Sequence, residues 1–252
     1  MTNIMLSGCM GRMGKAITQI TAETENARIV CGIDKVSGDA PYPVYDTFAN
    51  VTEEIDVIID FSHPSNFDAL LSFAKERNLP VIFATTGFSE EQKTAMQKAA
   101  EDIPVFFSAN MSLGINLLIR LAKQAATILE DTFDIEIIEK HHNRKLDAPS
   151  GTALAIADEI SESLKQKPEY VYDRHSVRKQ RDKNEIGLHA IRGGTIVGEH
   201  DVLFAGPEEM ITLSHCATSR EVFAQGAVRA ALFMNGKAAG FYSMNDLFAE
   251  MV

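Results

Sequence analysis

A chain of 252 residues, 45% hydrophobic and 23% charged, has room for one large domain or two modest ones and excludes a disordered or fibrous polypeptide. Its formal charge of −11 disfavours nucleic acid and anionic membrane as partners, since both would repel it. Three widely spaced cysteines, Cys9, Cys31 and Cys216, predict reduced thiols in a cytoplasmic protein rather than a disulfide framework or a metal site.

The chain opens directly on an apolar segment, Ile4 to Leu6, with no basic-then-apolar leader, so no export signal is expected. No apolar run is long enough to cross a bilayer. A helical pattern follows from Arg12 to Ala22, then further short apolar runs at Arg28 to Ile33, Val57 to Ile59, Val81 to Ala84 and Val105 to Phe107. Asn66 to Arg77 and Ser89 to Glu101 read as helices between them. Continuous apolar strands alternating with helices predict a doubly wound parallel sheet of the Rossmann type, an α/β arrangement.

A long helix is expected at Leu113 to Leu129, a strand at Phe133 to Ile138, a polar loop at His141 to Ser150 and a helix at Gly151 to Leu164. Lys165 to Asn184 has the weakest pattern and carries Arg174, His175, Arg178, Lys179, Arg181 and Lys183. Two readings stand for it: a solvated loop, or an arm that brings positive charge to an anionic ligand. Three strands come next, at Ile186 to Ile191, Thr195 to Phe204 and Met210 to Ser214, with no long helix between them. That change of rhythm predicts a second, α+β domain carrying a mixed or antiparallel sheet. A helix at Arg220 to Met234 closes the chain, and the residues after it are placed to return to the first domain.

Gly8, Gly11 and Gly14 sit where the first strand gives way to the first helix. Gly8 permits a tight turn, Gly11 a close approach of pyrophosphate to backbone, and Gly14 close packing, while the helix N-terminus favours an anion. Asp34 follows the second strand, about 20 residues on, where a carboxylate receives the ribose hydroxyls of a dinucleotide. Lys35 beside it would attract a 2′-phosphate, which leaves NADH and NADPH both open.

The second group is the segment from Glu139 to Thr152, which follows a strand and opens a helix. His141, His142, Arg144 and Lys145 offer proton donors and positive charge. Ser150, Gly151 and Thr152 place backbone N–H groups at a helix start, which suits a carboxylate. Adjacent histidines rarely chelate one ion, and no cysteine or carboxylate stands at ligand spacing, so no metal is expected. Hydride transfer takes its reducing equivalent from the cofactor and leaves the protein to supply a proton and to hold an acidic substrate. His141 and Lys145 are the chemical types for both tasks.

The chain resembles the 4-hydroxy-tetrahydrodipicolinate reductase family, also called dihydrodipicolinate reductases. The likeness is carried by Gly8 to Gly14, Asp60 to Ser62, Thr85 to Gly87, Ser108 to Asn110, His141 and His142 with Lys145 to Thr152, Arg192 to Gly194, Val197 to His200, and Ser219 and Arg220 with Phe223, Ala224, Gly226 and Ala227. It implies a dinucleotide-binding domain of residues 1–111 and 218–252 around a substrate-binding and oligomerisation domain of residues 112–217, assembled as a homotetramer. It implies NADH- or NADPH-dependent reduction of 4-hydroxy-tetrahydrodipicolinate to tetrahydrodipicolinate with loss of water, in lysine biosynthesis through diaminopimelate. On that resemblance, Gly8, Cys9, Met10, Gly11, Arg12, Met13, Asp34 and Lys35 hold the dinucleotide. Ala84, Thr85 and Thr86 with Ser108, Ala109, Asn110 and Met111 line its nicotinamide side. His141 exchanges a proton, Lys145 donates a second, and His142, Lys145, Gly151 and Thr152 hold the small-molecule dicarboxylate substrate. Position 84 is Ala where the family commonly has Gly, and the Asp34–Lys35 pair is one of several variants the family uses. The competing reading is a non-catalytic redox sensor, which would need the glycine turn and Asp34 but not the loop around His141.

Overall fold

In a computed structural model that describes residues 1–251, the chain divides into two compact units. One is Met1–Leu113 with the segment from Arg220 onward, and the other is Gly114–Ser219. The elements begin with β1 (Thr2–Ser7), α1 (Arg12–Ala22), β2 (Ala27–Ile33), β3 (Val44–Tyr45), β4 (Val57–Asp60), α2 (Phe67–Glu76), β5 (Val81–Phe83), α3 (Glu90–Ala99) and β6 (Pro104–Phe107). They continue with α4 (Leu113–Leu129), β7 (Asp134–His141), α5 (Gly151–Ser163), β8 (Glu169–Val171), β9 (Glu185–Arg192), β10 (Gly198–Ala205) and β11 (Met210–Ala217). The chain ends with α6 (Glu221–Met234), β12 (Gly240–Tyr242) and α7 (Met244–Ala249).

The first unit is a parallel seven-stranded sheet in the order β12-β6-β5-β4-β1-β2-β3. Its apolar strands are buried because helices cover both faces. Ile4, Leu6, Val57 and Ile59 pack on one side with Ile17 of α1, Val228 of α6 and Leu247 of α7. Met5, Cys31, Ile58 and Val81 pack on the other with Leu70 of α2 and Met96 of α3. The strand order reverses direction between β1 and β4, which opens a crevice at their carboxyl ends. The return of the C-terminal segment, through β12 beside β6, completes this sheet.

The second unit is a mixed five-stranded sheet in the order β11-β10-β7-β9-β8. β9 runs parallel to β7 and β8, whereas β10 is antiparallel to β7 and β11. β9 and β10 are consecutive in sequence yet do not pair, since β7 lies between them and the loop joining them crosses its carboxyl end. There Gly193 donates to the His141 carbonyl at 2.9 Å and Asn143 donates to the Gly194 carbonyl at 3.2 Å. Helices α4 and α5 cover one face, where Leu118, Ala122, Ile156 and Ile160 meet Ile135, Ile137, Val202 and Phe204. The opposite face presents Ile138, Lys140, Glu199, Asp201, Leu203 and Met210, each at least partly exposed.

One strand runs longer than expected, and one open reading closes. The strand expected to stop at Ile138 runs on to His141. Of the two readings of the basic segment, the solvated loop describes residues 172–180, which are exposed and outside helix or strand. Several of its cations are nonetheless paired with acids of the same unit: Arg174 with Glu136 and Glu185, Arg181 with Glu136 and Asp134, and Lys179 with Glu185. No helix among the described residues is long and apolar enough to cross a membrane.

Candidate active site

In the first unit the glycine turn joins β1 to α1. Gly8 has φ +80°, a left-handed conformation that a side chain would strain. A Cβ at Gly14 would run into the carbonyl oxygens of Gly8 and Cys9, so the turn closes only around glycine. Gly11 is the N-cap of α1, with no side chain capping the first turn. The N–H groups at that helix start therefore have no cap from the N-cap side chain, as a turn that receives an anion requires. At the end of β2 the Asp34 carboxylate ties the turn in place. One oxygen accepts the Met10 N–H at 2.9 Å and the other the Val36 N–H at 3.0 Å.

A cavity of about 570 Å³ opens at this crevice, lined by Gly8, Gly11, Asp34 and Lys35 together with Phe48, Phe61, Ser62 and His63, among others. Its size and its position at the carboxyl ends of parallel strands suit a nucleotide, and the glycine backbone leaves space that a Cβ would fill. Sequence reasoning missed Asp46 to Phe48, His63, Ser65 and Asn66, because these side chains carry no spacing signal of their own, and had Phe61 and Ser62 only among the residues that carry the resemblance. Cys9 and Met111 are each 2% exposed and point into the core, so only their backbone can reach a ligand. Burial, with the Asp34 charge second, pushes the Cys9 thiol up to about 11. Met13 packs against the same core, whereas Arg12, Lys35, Thr86 and Ala109 are exposed. Ala84 is buried at the end of β5. Thr85 and Ser62 both donate to the buried Asp60 carboxylate, at 2.8 and 2.6 Å, which joins the loops after β4 and β5. Ser108 and Asn110 hold each other in a tight turn after β6, the Ser108 hydroxyl donating to the Asn110 carbonyl at 2.7 Å.

In the second unit the functional side chains continue the helix-covered face of β7. Strand alternation places Ile135, Ile137, Glu139 and His141 on that one face. Its apolar end is core, and its carboxyl end is polar. Glu139 is 1% exposed and His141 is 9% exposed. His141 Nδ1 lies 2.6 Å from Glu139, and Arg192 of β9 binds both Glu139 oxygens at 2.6 and 2.8 Å. Burial opposes ionisation of Glu139, but the Arg192 and His141 hydrogen bonds outweigh it and hold the carboxyl below the usual range. Ser150, the N-cap of α5, donates its N–H to Glu139 at 3.0 Å and accepts the Ala153 N–H at 3.1 Å. That helix start carries Gly151 and Thr152, as the sequence leads one to expect. Lys145 sits in the loop between, paired with Asp147 at 3.0 Å. His142 follows His141, half-buried. The sequence reading gave no role of their own to Glu139, which opens its second segment, or to Arg192 and His200, which it has only among the residues that carry the resemblance. The signal was the buried-face alternation of β7, which a carboxylate and an imidazole disguise as loop.

Among the described residues no group of three or more His, Cys, Asp or Glu side chains is arranged to hold a metal ion. The first cluster sets a glycine turn, a helix N-terminus and a carboxylate at one cavity, a combination suited to a dinucleotide. The second combines an imidazole backed by a carboxylate, a lysine and a helix N-terminus, a set able to transfer a proton and to hold carboxylates.

Two family models described as dihydrodipicolinate reductase match the chain, the N-terminal one over residues 2–111 and the C-terminal one over residues 114–248. The chain is 53% identical to a 4-hydroxy-tetrahydrodipicolinate reductase of Caldanaerobacter subterraneus, with 98% of each chain covered. It is 49% identical to one of Clostridium novyi, again over 98% of each. Among solved structures it superposes on a dipicolinate-bound dihydrodipicolinate reductase from Paenisporosarcina with a TM-score of 0.82 at 24% identity, covering 97% of this chain and 99% of that one. An aspartate dehydrogenase from Thermotoga maritima shares the fold more distantly, with a TM-score of 0.54 at 13% identity over 94% of this chain and 98% of that one.

Proposed function

The chain belongs to the dihydrodipicolinate reductase family, and on that premise we propose that His141 and Lys145 are its proton-transfer groups. Its activity is the NADH- or NADPH-dependent reduction of 4-hydroxy-tetrahydrodipicolinate to tetrahydrodipicolinate with loss of water, a step of lysine biosynthesis through diaminopimelate. The observation that carries the residue assignment is the buried Glu139–His141 contact at 2.6 Å beside the α5 N-terminus, an arrangement that a sensor without turnover would not need.

The dinucleotide, when bound, supplies a hydride. Gly8 to Met13, by backbone N–H groups, and Asp34, by its carboxylate, are the residues to hold the pyrophosphate and ribose. Lys35 stands beside Asp34 and is exposed, so the same cradle accepts a ribose with or without a 2′-phosphate. Ala84, Thr85 and Thr86, with Ser108 to Met111, line the nicotinamide side. Gly151 and Thr152, with His142 and Lys145, grip the two substrate carboxylates, the first pair through the positive end of α5. His141 delivers the proton that accompanies the hydride to the adjacent ring atom. Lys145 leaves Asp147 for the substrate and donates to the departing hydroxyl, and the proton that the adjacent ring carbon gives up as the double bond forms returns to it, so the loss of water consumes no proton.

The protein is proposed to work in the cytoplasm, in keeping with its free thiols Cys9, Cys31 and Cys216. It is also proposed to assemble as a homotetramer, with the helix-free sheet face of the second unit as the contact surface. The test of the site is a coupled assay in which the cyclic substrate is generated from pyruvate and aspartate semialdehyde, and NADH and NADPH consumption are followed separately. His141→Ala combined with Lys145→Met is expected to retain dinucleotide binding and lose turnover by at least about a hundredfold. Undiminished turnover would remove both residues from the mechanism.

A further inference from the structure

Glu139 occupies a position that strand alternation reserves for an aliphatic residue, on the covered face of β7 after Ile135 and Ile137. A carboxylate at that depth is unfavourable unless every lone pair is used. Four donors use them. Arg192 contributes two, at 2.6 and 2.8 Å, and the Ser150 N–H contributes one at 3.0 Å. The fourth is His141, whose Nδ1 lies 2.6 Å from Oε2. Arg192 is itself fixed by the carbonyls of Asp147 and Ile191, at 2.6 and 2.8 Å. Bidentate, charge-assisted pairs of this kind set geometry as well as energy.

An ionised carboxylate can only accept, so the hydrogen between Glu139 and His141 belongs to Nδ1. The other ring nitrogen, Nε2, is then left to exchange a proton. Gly198 of β10 keeps the space next to Nε2 open, since a Cβ there would sit 3.1 Å from it. We propose that Glu139, clamped by Arg192, is the positioning residue that fixes the Nδ1–H tautomer and the orientation of His141, so that Nε2 transfers the proton in the reduction. The assignment rests on His141 being the proton-transfer group.

The logic is that of a base oriented by a carboxylate behind it. The carboxylate also stabilises the imidazolium form, and Arg192 keeps it from taking the proton itself. The groups facing His141 are few. Glu139 comes from its own strand, Arg192 from β9, and His200 from β10, with ring centroids 5.3 Å apart and planes at 77°. Lys145 and Asp147 stand as a pair in the loop that follows. His200 is held neutral by burial, which takes it down to about 4, so it adds no charge over the working range. Glu139 is therefore the one anion in contact with the imidazole among these groups.

A purely structural role for the Arg192–Glu139 pair would also make the position sensitive, so the test must read the imidazole. In the full-length enzyme with histidine labelled with nitrogen-15, and the His141 resonances assigned by comparison with His141→Gln, the neutral ring is expected to show the Nδ1–H tautomer. A neutral ring protonated at Nε2 would overturn the proposal without any variant. In Glu139→Gln the tautomer is expected to shift, the alkaline limb of the kcat–pH profile, where the proton donor is lost, to move to lower pH, and kcat to fall on the order of a hundredfold or more with KM within a few-fold. Glu139→Asp, which keeps the charge, should recover part of kcat and the parent pH limb. It also serves as the reading if the glutamine variant fails to fold. Parent tautomer, pH limb and kcat in folded Glu139→Gln, beside an inactive His141→Ala, would sink the role of Glu139 alone. Turnover that survives His141→Ala would instead sink the role of His141 beneath it.

Discussion

His200 lies on the covered face of β10, 3% exposed, with Nε2 3.3 Å from the Ser150 hydroxyl. Its Nδ1 is buried without a hydrogen-bond partner among the described residues, so an imidazolium would strand a charged N–H. Desolvation first, and the nearby His141 second, take it from 6.5 down to about 4. The unfolded chain therefore binds a proton that the folded chain refuses between those values. Stability from this residue is complete above about pH 6.5 and is lost as the pH falls toward 4, a span worth roughly 3 kcal/mol. His200→Asn is expected to flatten the dependence of Tm on pH between 6.5 and 4.5, whatever it does to Tm at neutral pH. An unaltered slope in calorimetry would mean that His200 titrates like a solvated imidazole. Cys9, next to the dinucleotide turn, illustrates the same effect on a thiol: burial keeps it protonated at neutral pH and removes it as a nucleophile.

At the scale of elements, what the sequence disclosed was local and what it hid was long-range. The strand–glycine turn–helix at the N-terminus was legible because Gly8, Gly11 and Gly14 and the α1 pattern are contiguous. Asp34 was legible because its distance from that turn is set by one helix and one strand. Glu139, by contrast, acquires its meaning only from Arg192, which β9 brings beside it across the sheet. The order that inserts β7 between β9 and β10 has no signature in either strand. The basic segment was ambiguous for the same reason. Its partners Asp134, Glu136 and Glu185 form their acidic row only when β7 and β9 pair in register. Arg181 anchors that row, donating to Asp134, Glu136 and the carbonyls of Ile135 and Glu185 with 17% of its side chain exposed. Arg181→Ala should therefore destabilise the fold by about 2 kcal/mol or more while leaving substrate KM unchanged. A raised KM with an unmoved Tm would restore the arm as a ligand-binding element.

At the scale of the whole molecule, the two sheets treat their faces differently. The first unit covers both faces of its sheet, as a fully buried parallel sheet requires. The second covers only one, and the opposite face is not an ordinary polar surface. It places Ile138, Leu203 and Ile191 beside a Lys140 that bridges Glu199 and Asp201 at 2.9 and 3.3 Å. Apolar residues interleaved with opposite charges make a surface complementary to itself under a two-fold rotation, the commonest route to a closed oligomer. On that argument the homotetramer proposed above is built through this sheet. Leu203→Arg, on the exposed face and away from Glu139 and His141, is expected to reduce the assembly in light scattering from four 27.7 kDa chains to two or one, with the circular dichroism of the fold preserved. The tetramer mass retained in that variant, or the mass of a single chain already in the parent protein, would move the contact surface elsewhere or remove it.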